Sequence, residues 1–563
     1  MNKNILIFEI IFIVSLFIFA SLTSAFVYKN KNDELKDTSI GFSNISDEDL
    51  CMIFDSKSNF LDIDFIYNMT SKLSNIIFDE YDEETGEIAK GRFFGSKGEH
   101  KAAHIIYENM TNLGLYTYYE QFENLGYSPY NEITHMLEVL DYNCYLNGEP
   151  VNCYIAPTWA GLREENGMLN ATFNYTDLKI KKLPHNALIF NKTLAEEKSN
   201  FLFIAEDILN NPEGSLPIVS LLKPYMNILK FYMLFYITTI FNYNRQTSFW
   251  YNWYPNCKGL ILYDHDDICH DMVYFNKDLS NRLPIIYVNG TLGKNILNDL
   301  DNQEVDYYLK QRYNTSAISY NVIGQLNGTD SSKTVIVSSL YDSWWCQGTA
   351  DSAIGMSIVL AIAKYYNDNK IVPKYNMKFV AFGAEEYGYR GAIFYDEYHR
   401  DEDIIYVIDV NQVGFTQNEP RLTMDIVANK LGFLNDIWEV AQRSNYVERT
   451  NNSADILKIW WPLGSIPSNT DPFGRNRRDC NVVGFFKDGG WVLHHRDGID
   501  KNGNRHMEGD VLKYFNWTDT IVTGEMILNI TKHLTIESKE NYLSNLPSNN
   551  LIRLLEEFRI IKD

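Results

Sequence analysis

Apolar residues run almost unbroken from Ile5 to Tyr28, interrupted by Glu9 and a few serines and threonines. A run of that length is enough for a bilayer-spanning helix. Lys3 precedes it, and Thr23, Ser24 and Ala25 offer a small-residue cleavage site. The run therefore predicts export, either as a single-pass signal anchor with the bulk of the chain outside the cell or as a cleaved signal peptide of a secreted protein. Residues 29–50 are polar and read as a stalk. Apolar residues then recur at helical spacing from Phe60 to Ile76 and from Ala102 to Leu113. Between these two helices lies a glycine-punctuated loop, Gly91-Arg92-Phe93-Phe94-Gly95-Ser96.

From about residue 130 to 318 the pattern changes to short alternating runs, including Glu138–Tyr145, Ala187–Phe190, Gly259–Tyr263 and Pro284–Val288. These predict strands, and together an inserted β-rich domain. Tyr225 to Phe241 stands apart as an aromatic-rich apolar segment containing Lys230. It is short for a membrane span and suits a buried or interfacial helix. From Asn321 strands and helices alternate. Thr334–Ser339, Met377–Phe382, Ile404–Val410 and Val482–Phe486 are the strands; Ala350–Tyr366, Gly391–His399, Leu434–Arg443 and Val511–His533 are the helices. Such alternation predicts an α/β fold, a mostly parallel sheet covered by helices on both faces. The expected divisions are 1–28 (signal segment), 29–129 (stalk and first part of the α/β domain), 130–318 (insert), 319–535 (main α/β domain) and 536–563 (tail).

Composition narrows the field. A chain of 563 residues, 45% hydrophobic and 14% aromatic, can build two or three packed units. Its formal net charge of -23 repels phosphate backbones, so nucleic acid is excluded as a partner; the acidity also serves solubility. Seven cysteines suit an oxidising compartment, and the odd number leaves at least one thiol. A two-residue hairpin loop around Asn147-Gly148-Glu149-Pro150 would set Cys144 opposite Cys153 as a disulfide pair, and Cys257 and Cys269 are a second nearby pair. No cysteine spacing suggests zinc.

Ligands on parallel sheets bind beyond the carboxyl ends of the strands. There the sequence is rich in acid. Asp342 follows the first strand and Asp351 opens the next helix; Glu385 and Glu386 follow the second strand; Asp409 and Asn411 end the third; His494, His495 and Asp497 follow the last. Carboxylates and imidazoles are the donors of a catalytic zinc, which needs three protein ligands and an open position. Of two adjacent glutamates, one can ligate while the other accepts a proton from water. A structural ion-pair network is the competing account of the same residues.

Several of these segments resemble the secreted zinc aminopeptidases of the MH clan, relatives of the glutamate carboxypeptidases, the glutaminyl cyclases and the transferrin-receptor ectodomain. The likeness rests on Gly91–Ser96 with the helix after it, Tyr341-Asp342-Ser343, Ala350–Gly355, Phe382-Gly383-Ala384-Glu385-Glu386-Tyr387-Gly388, Ile404–Gly414, Ser468–Phe473 and Val482–Asp497. It covers roughly residues 80–125 and 320–535, and the insert resembles a protease-associated domain. The resemblance implies a three-layer α/β/α fold. It also implies Asp351 and Glu386 as metal ligands, Glu385 as general base, His494 or His495 as the last ligand, and Asp342 as a carboxylate behind the ligands.

Two expected ligands are replaced. Leu340 stands where the family has a histidine, and Asn411 where it has an aspartate, with Asp409 two residues earlier. Both losses fall on one metal of the family's pair, so the resemblance implies one zinc rather than two. The implied activity is exopeptidase hydrolysis of peptides or proteins. A non-catalytic binding or receptor module and a single-zinc acyl transfer like that of the glutaminyl cyclases are the alternatives.

Overall fold

The structure is a computed structural model. It describes residues 61–76, 91–92, 94–122, 136–156, 158, 161–165, 168–182, 198–206, 254–263, 283–314, 318–343, 347–386, 388–413, 422–450, 454–461, 466, 468–486, 512 and 517–537. The signal segment, the 225–241 segment, strand 187–190, Cys269, His494, His495 and Asp497 lie outside the described residues. Among the described residues no helix is long and apolar enough to cross a membrane.

In chain order the first elements are α1 (Ile63–Ser74), α2 (Lys97–Asn112) and β1 (Tyr116–Phe122). The second group is β2 (Met136–Leu146), β3 (Glu149–Pro150), β4 (Tyr154–Ala156), β5 (Arg163–Glu165), β6 (Met168–Lys182), β7 (Phe201–Glu206), β8 (Cys257–Tyr263), β9 (Ile285–Val288), α3 (Gly290–Asn298) and β10 (Glu304–Asn314). The third opens with β11 (Ser319–Leu326), β12 (Asp330–Leu340), α4 (Ile354–Asp368), β13 (Tyr375–Phe382), α5 (Arg390–Tyr398) and β14 (Ile404–Val410). It continues with β15 (Leu422–Ala428), α6 (Leu431–Arg443), α7 (Tyr446–Arg449), β16 (Ala454–Trp460), α8 (Asp471–Asn476), β17 (Asn481–Phe486) and α9 (Trp517–Lys532).

Two sheets result. The first has the order β1-β11-β13-β12-β14-β17-β15-β16, and its centre, β13-β12-β14-β17, is parallel. Alternation decides its two faces. Val335 and Val337 of β12 point to the side of α1, α2, α4, α6 and α9, while Ile336 points to the side of α5 and α8. The chain steps from β12 to β13 on one side and then to β14 on the other. This reversal opens a crevice at the carboxyl ends of the three strands. The expected three-layer α/β/α arrangement is present, with antiparallel strands added at the margins.

The second sheet, β3-β2-β10-β6-β7-β8-β9-β4, carries β5 beside β6. Phe122 at the end of β1 pairs with Ser319 at the start of β11. The intervening chain therefore leaves and re-enters the first sheet at adjacent strand ends, so an insertion there leaves that pairing intact.

One expectation fails in this second sheet. Asn147 and Gly148 both adopt left-handed backbone, with φ of 53° and 80°, the conformation of a two-residue hairpin turn. Leu146 then faces Glu149, and the Val151 amide donates to the Cys144 carbonyl at 2.9 Å. Moving the loop by one residue moves the pairing by two, so Cys144 faces Val151, not Cys153. Cys144 and Cys153 are both buried thiols, not a disulfide.

Candidate active site

The turn after β13 organises the crevice. Ala384 has a φ of 53°, a left-handed conformation that a residue with a side chain adopts at a cost. The twist aims three successive amides at two carboxylates, an anion-binding nest made from backbone. Ala384 N donates to Glu99 Oε1 at 3.2 Å, Glu385 N to Asp342 Oδ1 at 3.1 Å, and Glu386 N to Asp342 Oδ2 at 3.1 Å. Glu99 belongs to a capping arrangement at the start of α2: Ser96 Oγ accepts from Glu99 N at 3.1 Å, and Glu99 Oε2 accepts from Gly95 N at 2.7 Å. Ser319 Oγ adds a 2.6 Å bond to Glu99 Oε1. One side chain thus ties α2, the start of β11 and the glutamate turn together.

The acids are crowded and dry. Glu99, Asp342, Asp351, Glu385 and Glu386 are all buried. Burial, reinforced by the charge of Asp342, raises Glu99 well above the usual carboxylate range. Burial, reinforced by Glu386, pushes Asp342 up to about 8, against the pull of the two backbone amides.

Asp351 reaches the same place by a different route. The helix expected from Ala350 begins only at Ile354. Before it, Thr349–Ala353 form a wider turn in which Asp351 (φ -120°, ψ 80°) and Ser352 leave helical geometry. The loop leading there is held by Arg92, whose side chain is fully buried. Its guanidinium donates to the carbonyls of Tyr341 (2.7 Å), Leu73 (2.9 Å), Gln347 (2.6 Å) and Gly348 (2.9 Å). The Arg92 backbone also exchanges bonds with Ser343, amide to Ser343 Oγ at 3.1 Å and carbonyl from Ser343 N at 3.1 Å. Both ends of the segment between Asp342 and Asp351 are fastened to one cation.

The end of β14 closes the site. Asn411 Nδ2 donates to Glu385 Oε1 at 3.3 Å, and Gln412 Nε2 donates to Asp351 Oδ2 at 2.9 Å. Asp409 is not a substitute for Asn411. It sits in an unbroken parallel ladder between Ser338 and Gly484, and its carboxylate accepts from Ser338 Oγ at 2.9 Å and Asn469 Nδ2 at 3.3 Å. Burial raises Asp409 to about 6, with Ser338, Asn469, Ser468 and Asn411 opposing the rise. Leu340 is a fully buried hydrocarbon at the end of β12.

The structure therefore brings Asp342, Asp351, Glu385, Glu386 and Asn411 into one cluster. His494 and His495 lie outside the described residues. Among the described residues no three of His, Cys, Asp and Glu are arranged as a ready metal-holding group. The donor chemistry still fits a divalent cation: Asp351 and Glu386 are hard oxygen donors of the kind zinc accepts. Sequence reasoning missed Glu99, the role of Arg92, and Gln412. Only Glu99 carried a local signal, the Ser96-x-x-Glu99 capping pattern.

Residues 321–531 match the family model described as Peptidase family M28. Solved structures similar to the chain include BSAP, a zinc aminopeptidase from Bacillus subtilis, at 17% identity and a TM-score of 0.55, with 86% of this chain and 98% of that chain covered. A peptidase M28 precursor from Shewanella amazonensis SB2B is 15% identical, with a TM-score of 0.52 and coverage of 86% and 100%. At these identities the likeness concerns the fold. None of the curated proteins matches the chain in sequence. The matched region contains the glutamate turn, the Asp351 turn and the end of β14.

Proposed function

We propose that the chain is a zinc-dependent exopeptidase of aminopeptidase type, exported, with one metal ion held by Asp351, Glu386 and His494 or His495. The observation that supports it is the convergence of Asp342, Asp351, Glu385 and Glu386 at the strand ends of an M28 domain, linked by the bonds given above. A bound zinc ion supplies Lewis-acid polarisation of the scissile carbonyl and lowers the pKa of water. Glu385 takes a proton from the attacking water and delivers it to the leaving amine. Asn411, 3.3 Å from Glu385 Oε1, orients that carboxylate. Asp342 fixes the glutamate turn by holding both amides, and Arg92 fixes the turn that carries Asp351. The second sheet is read as a protease-associated-like domain, and peptides or proteins are the substrate class.

Leu340 and Asn411 favour a second reading, a peptidase-like binding module without turnover. Hydrolysis of aminoacyl reporters by the purified chain decides between them. Glu385→Gln is expected to lower kcat by on the order of 100-fold or more, from loss of the base, and Glu386→Ala to lower zinc affinity. Turnover that both variants leave unchanged refutes the peptidase assignment.

A further inference from the structure

Asn411 and Gln412 are consecutive amides, and each donates to a different carboxylate of the cluster, Glu385 and Asp351. A carboxamide facing a carboxylate must turn its NH2 group toward it, because its own oxygen would only repel. The 2.9 Å separation between Gln412 Nε2 and Asp351 Oδ2 is an ordinary hydrogen-bond length. Both residues are buried, Gln412 at 5% and Asp351 at 2% exposure, where a fixed dipole acts more strongly than it does in water.

We propose that Asn411 and Gln412 form an amide clamp that restricts the cluster to a single divalent cation; this deepens the single-zinc reading above and rests on it. A carboxylate that bridges two ions offers one oxygen to each. Zinc binds carboxylate oxygen at about 2.0–2.2 Å, and the Gln412 NH2 group, 2.9 Å from Asp351 Oδ2, competes with an ion for that oxygen. Leu340, with no exposed surface, adds hydrocarbon at the end of β12, where a further ligand is expected. The clamp also acts on charge. Two neutral donors each satisfy a buried carboxylate without adding a cation. The sequence position explains the pairing. Asn411 and Gln412 follow a strand whose ladder ends at Val410, so successive side chains are released from strict alternation and both can turn toward the crevice.

The test uses the full chain stripped of metal, titrated with zinc calorimetrically, with bound zinc counted by elemental analysis after gel filtration. The wild type is expected to take one zinc per chain, and the double variant Asn411→Asp, Gln412→Glu to take two. A double variant that still binds one ion with unchanged affinity overturns the clamp. A wild type that binds no zinc refutes the zinc-peptidase reading, and a wild type that binds two ions overturns the clamp alone. Gln412→Met keeps the volume and deletes the donor, so the melting temperature is expected to fall by on the order of 5 °C. The same variant serves if the double variant does not fold. An unchanged melting temperature in Gln412→Met overturns the proposal.

Discussion

Arg92 fastens both ends of the segment between Asp342 and Asp351, and replacing it with methionine measures that role. Methionine retains much of the apolar stem and loses the charge and every donor. Four carbonyls, from Leu73, Tyr341, Gln347 and Gly348, then lose a guanidinium partner at 2.6 to 2.9 Å. Hydrogen bonds to a charged group contribute roughly 1.5–3 kcal/mol each, so simple addition gives roughly 6–12 kcal/mol. Two effects reduce that sum: the bonds share one group and are not additive, and removing a buried cation also removes its desolvation cost. A net loss of about 3–6 kcal/mol is expected, a large share of a stability of about 5–15 kcal/mol. For a domain of this size that corresponds to roughly 9–18 °C in Tm, at about 3 °C per kcal/mol. Arg92→Lys keeps the charge but reaches one or two carbonyls only, and is expected to recover about half the loss. Calorimetric melting of the full chain gives the first reading and zinc affinity well below Tm gives the second. An Arg92→Met melting temperature within about 2 °C of wild type refutes the energetic argument. A large fall in Tm with zinc affinity intact refutes the claim that Arg92 positions Asp351.

Three other outcomes follow from the same structure. A Cβ on Gly355 would stand 2.4 Å from the Val410 carbonyl oxygen and 2.6 Å from that of Asn411, so Gly355→Ala is expected to cost about 1–3 kcal/mol and to weaken zinc binding by pushing α4 from the end of β14; equal stability and affinity would contradict this. Burial works against a charge on His399, but its bonds to Glu120 and Glu402 prevail and raise it to about 9. Its contribution is therefore complete below about pH 6.5 and lost as the pH rises through 9. Glu402 is also opposed by burial, yet His399, Lys378 and Thr334 bring it down to about 2, so its share is complete above about pH 4.5 and lost as the pH falls toward 2. The wild type should accordingly lose Tm more steeply than His399→Gln between pH 6.5 and 9, and parallel curves would show that the network does not titrate as described. Alkylation under denaturing conditions without reductant should label Cys144 and Cys153; protection of both would restore the disulfide that the hairpin register rejects.

The parts of the fold that were legible in the sequence are those whose pattern is local. β12, β13, β14 and β17 each carry a short apolar or β-branched core because both sheet faces are covered, and the acids that follow the first three stand out against it. β15 and β16 were missed because Asp425 and Lys458 interrupt them; β16 is the edge strand, whereas Asp425 is fully buried on β15 between two partners. The hairpin carrying Cys144 was read one residue out of place, since Gly148 fits either of two adjacent loops until the left-handed Asn147 is seen.

The cluster itself divides in the same way, for a physical reason. Buried carboxylates are rare enough that acids at strand ends draw attention by residue type alone. Their partners do not. Glu99 meets Ala384 across 285 residues of chain, Arg92 meets Gly348 across 256, and Gln412 looks like any loop glutamine until Asp351 is beside it. Each buried anion nevertheless requires donors, because a charge stripped of water without them is prohibitively costly. Predicting five buried acids therefore also predicts a matching set of buried N–H and O–H groups. For Glu99, Asp342, Glu385 and Asp351 the glutamate turn's own backbone supplies three, Gly95 a fourth amide, Ser319 a hydroxyl, and Asn411 and Gln412 one side-chain amide each. Those last two amides stand at the end of β14, where they give two buried carboxylates neutral dipoles as partners in place of a cation.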